Sequence, residues 1–118
     1  MVQNMSTAPG EAVSITLIHA GDGEHYPTQS QAVAVHYTAF LPDGTEWDSS
    51  RKRNKALRFR MATGQVIQGI DDAVRQMSLH ERVRLRVPPH LAYGARGFPG
   101  RVPPNTAIEY DLELIAIV

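Results

Sequence analysis

Two short segments in the C-terminal half restrict the fold most: Arg82-Val83-Arg84-Leu85-Arg86-Val87 and Ile108-Glu109-Tyr110-Asp111-Leu112-Glu113-Leu114. In both segments apolar and charged residues alternate, which is typical of β-strands with one buried face and one face in water. The exposed face of the first carries three arginines, and that of the second carries three acids. Because opposite charges favour neighbouring positions on a sheet, we predict that the two strands are adjacent and antiparallel.

The same alternation predicts strands in the N-terminal half. Residues 12–20 place three apolar side chains on one face, namely Val13, Ile15 and Leu17, and residues 31–40 do the same with Val33, Val35, Tyr37 and Ala39. The turn-forming residues 41–44 then predict a hairpin into a strand at 45–48. Alternation resumes at 57–61 after a charged stretch, so we expect this third strand to be interrupted.

One segment changes to a helical period. Between residues 66 and 77 the apolar positions are three or four residues apart, with four polar residues turned outward, namely Asp71, Asp72, Arg75 and Gln76. Gly69 costs about 1 kcal/mol inside a helix but little at its start, so we predict a helix over 68–77. The fold class is therefore α+β, an antiparallel sheet whose apolar face is covered by one short helix.

The composition excludes several classes of chemistry. The chain has 118 residues with 12 Lys+Arg, 12 Asp+Glu and no cysteine, which fits one domain and removes thiolate nucleophiles, cysteine-bound zinc and disulfides. A net charge of zero gives no global attraction for nucleic acid or an anionic membrane, and the chain shows no signal-like or membrane-spanning run. We expect a cytoplasmic domain at 12–118 after a flexible tail at 1–11.

Few residues point to a catalytic or ligand site. The basic run at 51–55 is a weak nucleic-acid footprint and is better interpreted as a solvated loop. The five histidines lack metal-ligand spacing, and neither Ser49 nor Ser50 has a nucleophile context, so no metal or cofactor is expected. Trp47, Tyr93 and Phe98 stand in or beside turns and a long loop at 88–105, and such aromatic residues commonly line a shallow apolar cleft.

Five ordered motifs resemble the FKBP family of peptidyl-prolyl isomerases. They are His36-Tyr37-Thr38 with Asp43-Gly44, Trp47-Asp48-Ser49-Ser50-Arg51, Val66-Ile67-Gln68-Gly69, Ala92-Tyr93-Gly94-Ala95-Arg96-Gly97 up to Pro103-Pro104-Asn105, and Tyr110-Asp111-Leu112-Glu113-Leu114. The resemblance covers residues 13–118. It implies a five-stranded antiparallel half-barrel sheet wrapped on one short helix, with a pocket between helix and sheet.

The resemblance also assigns roles to residues of that pocket. It implies catalytic roles for Tyr37, Trp47, Asp48, Ile67, Tyr93 and Tyr110, and further substrate contacts for Leu57, Phe59, Val66, Ile70, Phe98 and Val102. In this pattern Asp48 accepts hydrogen bonds, and the Ile67 N–H and the Tyr93 hydroxyl donate to ligand carbonyls. On periodicity alone, the strand residues Tyr37, Phe59 and Tyr110 are more often simple core.

Four positions depart from the usual family pattern. Ile70 stands where a tryptophan is common, Leu57 where a phenylalanine is usual, Phe98 where a histidine is frequent, and Arg101 where an aliphatic residue is usual. Ile70 keeps the pocket floor apolar but removes a ring and its area. The departures predict an altered preference among ligands more than an altered fold.

By this resemblance the chain is a prolyl cis-trans isomerase acting on peptides and folding proteins. The alternative is a module that binds a proline-containing loop or a macrolide, with isomerase activity incidental. Tacrolimus and rapamycin are the expected macrolides, and calcineurin and the TOR kinase the expected partners of the drug-bound form. We expect a monomer with no cofactor, nucleic acid or membrane partner.

Overall fold

The computed structural model, which describes residues 11–118, contains six strands and one α-helix. The strands are β1 (Ser14–His19), β2 (Ala32–Phe40), β3 (Glu46–Ser49), β4 (Leu57–Arg60), β5 (Arg82–Val87) and β6 (Ile108–Ile117); the helix α1 is Gln68–Arg75, and a short 3-10 turn covers Pro89–Leu91. Of the expected tail at 1–11, only Glu11 belongs to the described residues, and its carboxylate lies 3.9 Å from the Arg86 guanidinium.

The strands form one antiparallel sheet in the order β1-β5-β6-β2-β3, with β4 also paired to β2. β3 pairs with the end of β2, from Thr38 to Phe40, whereas β4 pairs with its start, from Ala32 to Val35. The two short strands therefore occupy successive parts of the same sheet edge. This arrangement confirms the interrupted third strand and the α+β fold with an open antiparallel sheet.

The charged faces of β5 and β6 meet as the sequence predicts, but the ion pairs run diagonally. Arg82 lies opposite Glu113 and Arg84 opposite Asp111 in the ladder. The Arg82 guanidinium nevertheless binds both carboxylate oxygens of Asp111, at 2.8 and 2.7 Å, and Arg84 reaches Glu109 at 3.0 Å. Strand twist brings diagonal side chains within reach of long arginines. Each of these arginines thus pairs two residues away from the acid opposite it.

Helix α1 packs its apolar side on the buried face of the sheet. Ile70, Ala73 and Val74 are buried there together with the following Met77. The helix ends at Arg75, two residues before the predicted end, because the N–H groups of Gln76 and Met77 bond three residues back, at 3.0 and 3.1 Å. Such bonds tighten the last turn and end the α-helical pattern. No helix within residues 11–118 is long and apolar enough to cross a membrane.

Two side chains differ from the periodicity-based expectation. Asp71 was expected to face water but is only 3% exposed, and its Oδ2 accepts a hydrogen bond from the Ala62 N–H at 2.9 Å. Leu17 was expected on the buried face but is 59% exposed. β1 lies at the sheet edge, and its pairing with β5 becomes irregular between Leu17 and His19, so the core does not cover this end of the strand.

Candidate active site

A hollow of about 360 Å³ lies between the start of α1, the sheet and the loop that joins β5 to β6. We call it the aromatic pocket. Its lining residues are Tyr37, Trp47, Asp48, Leu57, Gln65, Val66, Ile67, Ile70, Tyr93, Phe98 and Tyr110. A larger depression of about 460 Å³ lies beside Arg86 and His90, but among the described residues its lining contains no aromatic residue other than histidine. The aromatic pocket is therefore the stronger candidate site for an apolar ligand.

The sheet wall of the pocket is made by Tyr37 on β2 and Tyr110 on β6. These strands pair directly, and the residues next to each other in the ladder include Ala39 and Tyr110. Tyr37 lies two residues before Ala39 on β2, and side chains two residues apart on a strand lie on the same face. Tyr37 and Tyr110 therefore both point to the buried side. Their rings meet edge to face with centroids 5.9 Å apart. The alternation that makes them core residues also makes them a pocket wall.

The opposite wall is a cluster of three rings. Trp47, at the end of the hairpin, meets Tyr93 edge to face at 5.9 Å and Phe98 at 6.0 Å. Tyr93 and Phe98 stack on each other with centroids 5.4 Å apart. Phe98 remains 40% exposed, so it forms the rim of the pocket rather than its interior. Each ring is held by the other two, which keeps the cleft open and apolar.

Hydrogen bonds within the β5–β6 loop hold these two rings in place. Phe98 and Val102 exchange backbone hydrogen bonds of 2.8 Å in both directions, and the Gly97 N–H donates to the Tyr93 carbonyl at 3.0 Å. Gly97 has a φ of +71°, and a Cβ there would stand 2.4 Å from the Val102 carbonyl oxygen. Only glycine allows this close approach. The long loop is therefore a folded part of the site.

Among residues 11–118, Asp48 is the only carboxylate that lines the pocket. Its Oδ2 accepts a hydrogen bond from the Tyr37 hydroxyl at 2.5 Å, and its Oδ1 pairs with the Arg53 guanidinium. Arg53 also donates to the Tyr37 hydroxyl at 3.0 Å, which closes a three-membered network. Partial burial opposes ionisation, but the hydrogen bonds from Tyr37 and Arg53 outweigh it, so the pKa of Asp48 lies below its ordinary value. Asp48 is ionised at neutral pH.

Ser50 holds Tyr37 in register with this network. The Ser50 N–H donates to the Tyr37 carbonyl at 2.9 Å, and the Ser50 hydroxyl accepts from the Tyr37 N–H at 2.7 Å. Ser50 is fully buried. This serine satisfies the backbone of β2 where regular pairing with β3 ends, so its role is structural.

The floor of the pocket is formed by the approach to α1. Val66 and Ile67 precede the helix, Ile70 lies in its first turn, and Leu57 on β4 closes the side. Within residues 11–118 the backbone N–H of Ile67 donates no hydrogen bond. It is one of the helix-terminal donors that lack a partner inside the helix. The floor therefore combines apolar surface with one available N–H donor.

The structure brings ten of the twelve sequence-predicted site residues together around the pocket. Phe59 and Val102 are the exceptions, because both are buried in the core behind the lining, at 4% and 3% exposure. Sequence reasoning missed Gln65, which lines the pocket, and Arg53, which binds Asp48 and Tyr37. A sequence signal for Arg53 was its place in a turn only five residues after Asp48.

The ionisable groups of the pocket are not poised for proton transfer at neutral pH. Burial raises the pKa of Tyr37, Tyr93 and Tyr110 above the ordinary value of 10, most strongly for Tyr110. The three phenols are thus protonated while Asp48 is ionised. Within residues 11–118, one exposed group of possible metal ligands exists, Asp22, Glu24 and His25, and none of the three lines the pocket.

Comparison with known proteins identifies the family. The family model described as FKBP-type peptidyl-prolyl cis-trans isomerase matches residues 23–115. The chain belongs to the FKBP family. It is 47% identical to the peptidyl-prolyl cis-trans isomerase Fkbp12 of Drosophila melanogaster and 43% identical to the peptidyl-prolyl cis-trans isomerase FKBP1A of Xenopus laevis. Each alignment spans 105 residues, which is 89% of this chain and 97% of the relative.

This FKBP is accordingly a peptidyl-prolyl cis-trans isomerase, as its sequence motifs predicted. Two of the residues that the sequence analysis singled out as departures from the family pattern lie at the floor and at the rim of its pocket. Ile70, rather than a tryptophan, supplies the floor and is 5% exposed. Arg101 extends over the ring of Phe98, with its guanidinium carbon 5.8 Å from the ring centroid. The rim therefore carries a cation beside an aromatic face.

Proposed function

We propose that this FKBP accelerates rotation about Xaa-Pro bonds of peptides and folding proteins inside the aromatic pocket, with no cofactor and no covalent intermediate. The observation that carries the proposal is the ring-lined hollow itself, whose carboxylate, Asp48, already accepts hydrogen bonds from Tyr37 and Arg53. Such a site offers apolar surface and fixed dipoles. It offers no activated nucleophile and no general base.

The chemistry needs only a weakening of amide conjugation. An Xaa-Pro bond prefers trans by about 0.5 to 1 kcal/mol, yet its rotation barrier is about 18 to 20 kcal/mol. The planar amide is more dipolar than the twisted one. A pocket that removes water therefore disfavours the planar ground state relative to the twisted transition state, and each 1.36 kcal/mol gained is about tenfold in rate.

Three polar groups orient the substrate in this proposal. The free N–H of Ile67 and the hydroxyl of Tyr93 donate to substrate carbonyls, which fixes the chain on either side of the proline. The ionised Asp48, held by Tyr37 and Arg53, orients the amide and polarises it without taking a proton. Fixed donors and charges of this kind need no reorganisation during the reaction.

The test is the rate of cis-trans exchange in a short prolyl peptide, measured by NMR exchange spectroscopy or a protease-coupled assay. Asp48→Leu and Tyr93→Phe should each lower kcat/KM by about tenfold or more, which corresponds to about 1.4 kcal/mol of lost transition-state stabilisation. Glu24→Leu, at an exposed carboxylate outside the pocket, is the matched control. No acceleration by a well-folded wild-type protein contradicts the proposal.

A binding role is the second candidate, and the floor residue Ile70 together with Arg101 at the rim favours it. These residues can keep affinity for a proline-containing loop while they lower the rate of isomerisation. The variants Asp48→Leu and Tyr93→Phe separate the two roles. If association with a cellular partner survives the loss of isomerase activity, binding is the function on which the cell relies.

The proposal extends to macrolides, because tacrolimus and rapamycin are bulky apolar ligands that suit a pocket of these rings. Drug-bound protein is then expected to engage calcineurin or the TOR kinase. Titration followed by emission of Trp47, the only tryptophan, should show saturable binding, and calorimetry provides an independent readout. Ile70→Trp should tighten the drug complex, since it adds a ring to the floor. No heat and no emission change with either drug contradicts this extension.

The proposal also includes a monomer acting in the cytoplasm. A cysteine-free chain is compatible with a reducing compartment. Light scattering measures the mass in solution, and cell fractionation measures the location.

A further inference from the structure

The net charge of the chain is zero, but the cations that are unpaired within residues 11–118 are distributed unevenly and lie around the pocket. Seven of the twelve cationic side chains form ion pairs within residues 11–118. The five without a carboxylate partner there are Lys55, Arg58, Arg60, Arg96 and Arg101. All five lie on β4, on the segment leading into it, or on the β5–β6 loop, and these segments carry walls of the aromatic pocket.

Two of these cations line a depression beside the pocket. This basic groove has a volume of about 510 Å³ and is lined by Arg53, Lys55, Ala56, Leu57 and Arg58. Leu57 also lines the aromatic pocket, so the two hollows share a wall. A peptide with its proline in the pocket can pass over Leu57 into the groove. Extended chain advances about 3.3 Å per residue, so the groove suits a side chain about one to three residues from the proline.

Ion pairing determines which cations of the basic stretch are available. Arg51 pairs with Glu113 at 2.9 Å, Lys52 pairs with Glu46 at 2.7 Å, and Arg53 pairs with Asp48. Their charges are locally neutralised. Lys55 and Arg58 are exposed and have no carboxylate neighbour among residues 11–118.

The groove therefore presents two uncompensated positive charges next to an apolar proline site. An anionic side chain is the partner that such a site favours, because like charges would repel each other and neutral groups would gain nothing from the field. Arg58 can bind a carboxylate or a phosphate through two parallel N–H groups, and Lys55 adds a positive charge on a flexible side chain. Arg58 lies on β4 and Lys55 on the segment leading into it, and both are exposed in the described part of the chain.

We propose that this FKBP prefers prolyl substrates with an anionic side chain near the proline, and that Lys55 and Arg58 bind this side chain as a carboxylate or a phosphate. The inference rests on the proposed function, because it specifies the substrate class of the same pocket. Lys55 and Arg58 determine specificity and have no part in the rotation itself.

A matched set of peptides tests the inference. Each has one Xaa-Pro bond and carries glutamate, phosphoserine, glutamine or lysine at one position, moved from three residues before the proline to three after it. For at least one position we expect kcat/KM about three- to tenfold higher for glutamate than for glutamine, and lower for lysine. The advantage should shrink as the ionic strength rises.

Variants link the preference to the groove. In Lys55→Gln/Arg58→Gln the ratio of kcat/KM for glutamate over glutamine should fall to about one, and Lys55→Glu/Arg58→Glu should favour lysine instead. Lys52→Gln is the matched control, because this lysine belongs to the same basic run but is paired with Glu46. It should keep the wild-type ratio.

The possible outcomes separate this inference from the proposed function. If wild-type protein accelerates no peptide, the proposed function fails; if it accelerates glutamate and glutamine peptides equally at every position, only the preference fails. A preference that persists in both double variants also overturns it. A larger gain for phosphoserine than for glutamate identifies phosphate as the favoured anion. Binding of a single-stranded oligonucleotide through Lys55 and Arg58, without any peptide preference, overturns the inference in favour of a nucleic-acid site.

Discussion

Gly69 packs so closely on Val87 that a Cβ added to the glycine would stand 2.3 Å from Val87 Cγ1. This contact joins the first turn of α1 to β5 and sets how deeply the helix sits on the sheet. The position of the helix in turn fixes Ile67 and Ile70, which form the pocket floor. Close packing against Val87 therefore explains the glycine at the end of the Val66-Ile67-Gln68-Gly69 motif.

The first prediction concerns this contact. Gly69→Ala should lower the free energy of unfolding by about 1 to 3 kcal/mol, because the methyl group must displace Val87 or the helix. In the double variant Gly69→Ala/Val87→Ala the loss should be smaller than the sum of the single losses. Chemical denaturation measures all three, with Gln68→Ala as the control on the exposed side of the same turn. Strict additivity would argue against the contact.

The second prediction concerns the diagonal ion pairs of β5 and β6. A double-mutant cycle of Arg84→Gln with Glu109→Gln should give a coupling of about 0.2 to 1 kcal/mol. The cycle of Arg84→Gln with Asp111→Asn should give less, because the structure pairs Asp111 with Arg82. Urea denaturation at low salt measures both couplings. A larger coupling to Asp111 would mean that the directly opposed pair dominates in solution.

The third prediction concerns stability in acid. The hydrogen bonds from Arg82 lower the pKa of Asp111 below 3.8, against the smaller effect of burial. A depressed carboxyl pKa adds stability that is fully present above the unfolded pKa of about 3.9 and is lost as the pH falls through the folded pKa. Asp111→Asn should therefore destabilise the protein more at pH 7 than near pH 2. An equal loss at both pH values would contradict this ionic contribution.

The fourth prediction concerns the pH dependence of catalysis. Hydrogen bonds from Tyr37 and Arg53 keep the pKa of Asp48 below 3.8 despite burial, and burial keeps the pKa of the pocket tyrosines above 10. No pocket group among these titrates between about pH 5 and pH 9, so kcat/KM should be flat to within about twofold over that range. NMR exchange spectroscopy avoids the pH dependence of a coupling protease. A bell-shaped profile would point to proton transfer.

The fifth prediction concerns the ring cluster at the rim. Phe98→Ala removes the stack on Tyr93 and the edge contact with Trp47, so it should shift the emission of Trp47 and raise KM more than it lowers kcat. Leu17→Ala, at an exposed apolar residue of β1, is the control for general loss of surface. An unchanged KM with a reduced kcat would place Phe98 in the rotation step instead.

Much of the fold could be predicted from local patterns. Alternation located β5 and β6 most clearly because each has one buried face and one more accessible face, and the change of period located α1. The diagonal pairing of Arg82 with Asp111 could not be predicted this way, because it depends on strand twist and on side-chain length. The burial of Asp71 was missed because helical periodicity cannot detect that the Ala62 N–H needs an acceptor at that place.

The candidate site, like the fold, could be predicted from the sequence only in part. Trp47, Tyr93 and Phe98 stood out as aromatic residues in turns, and the family motifs supplied Asp48 and Ile67. Arg53 was hidden among the four cations of residues 51–55, since sequence order does not show which of them turns back toward Asp48. The same ambiguity hid Lys55, whose lack of a carboxylate partner among residues 11–118 appears only when the ion pairs of its neighbours are known.

The pocket wall formed by Tyr37 and Tyr110 unites strands from opposite halves of the chain, with the second supplied by the last ten-residue strand. This pairing joins residues that are far apart in sequence, so it can form only once β6 is available. During translation β6 is at first still inside the ribosomal tunnel. The chain then lacks one wall of the aromatic pocket, and β5 lacks β6, the strand that pairs with it on the side away from β1. The nascent polypeptide is consequently inactive as an enzyme until β6 has left the tunnel and paired with β2.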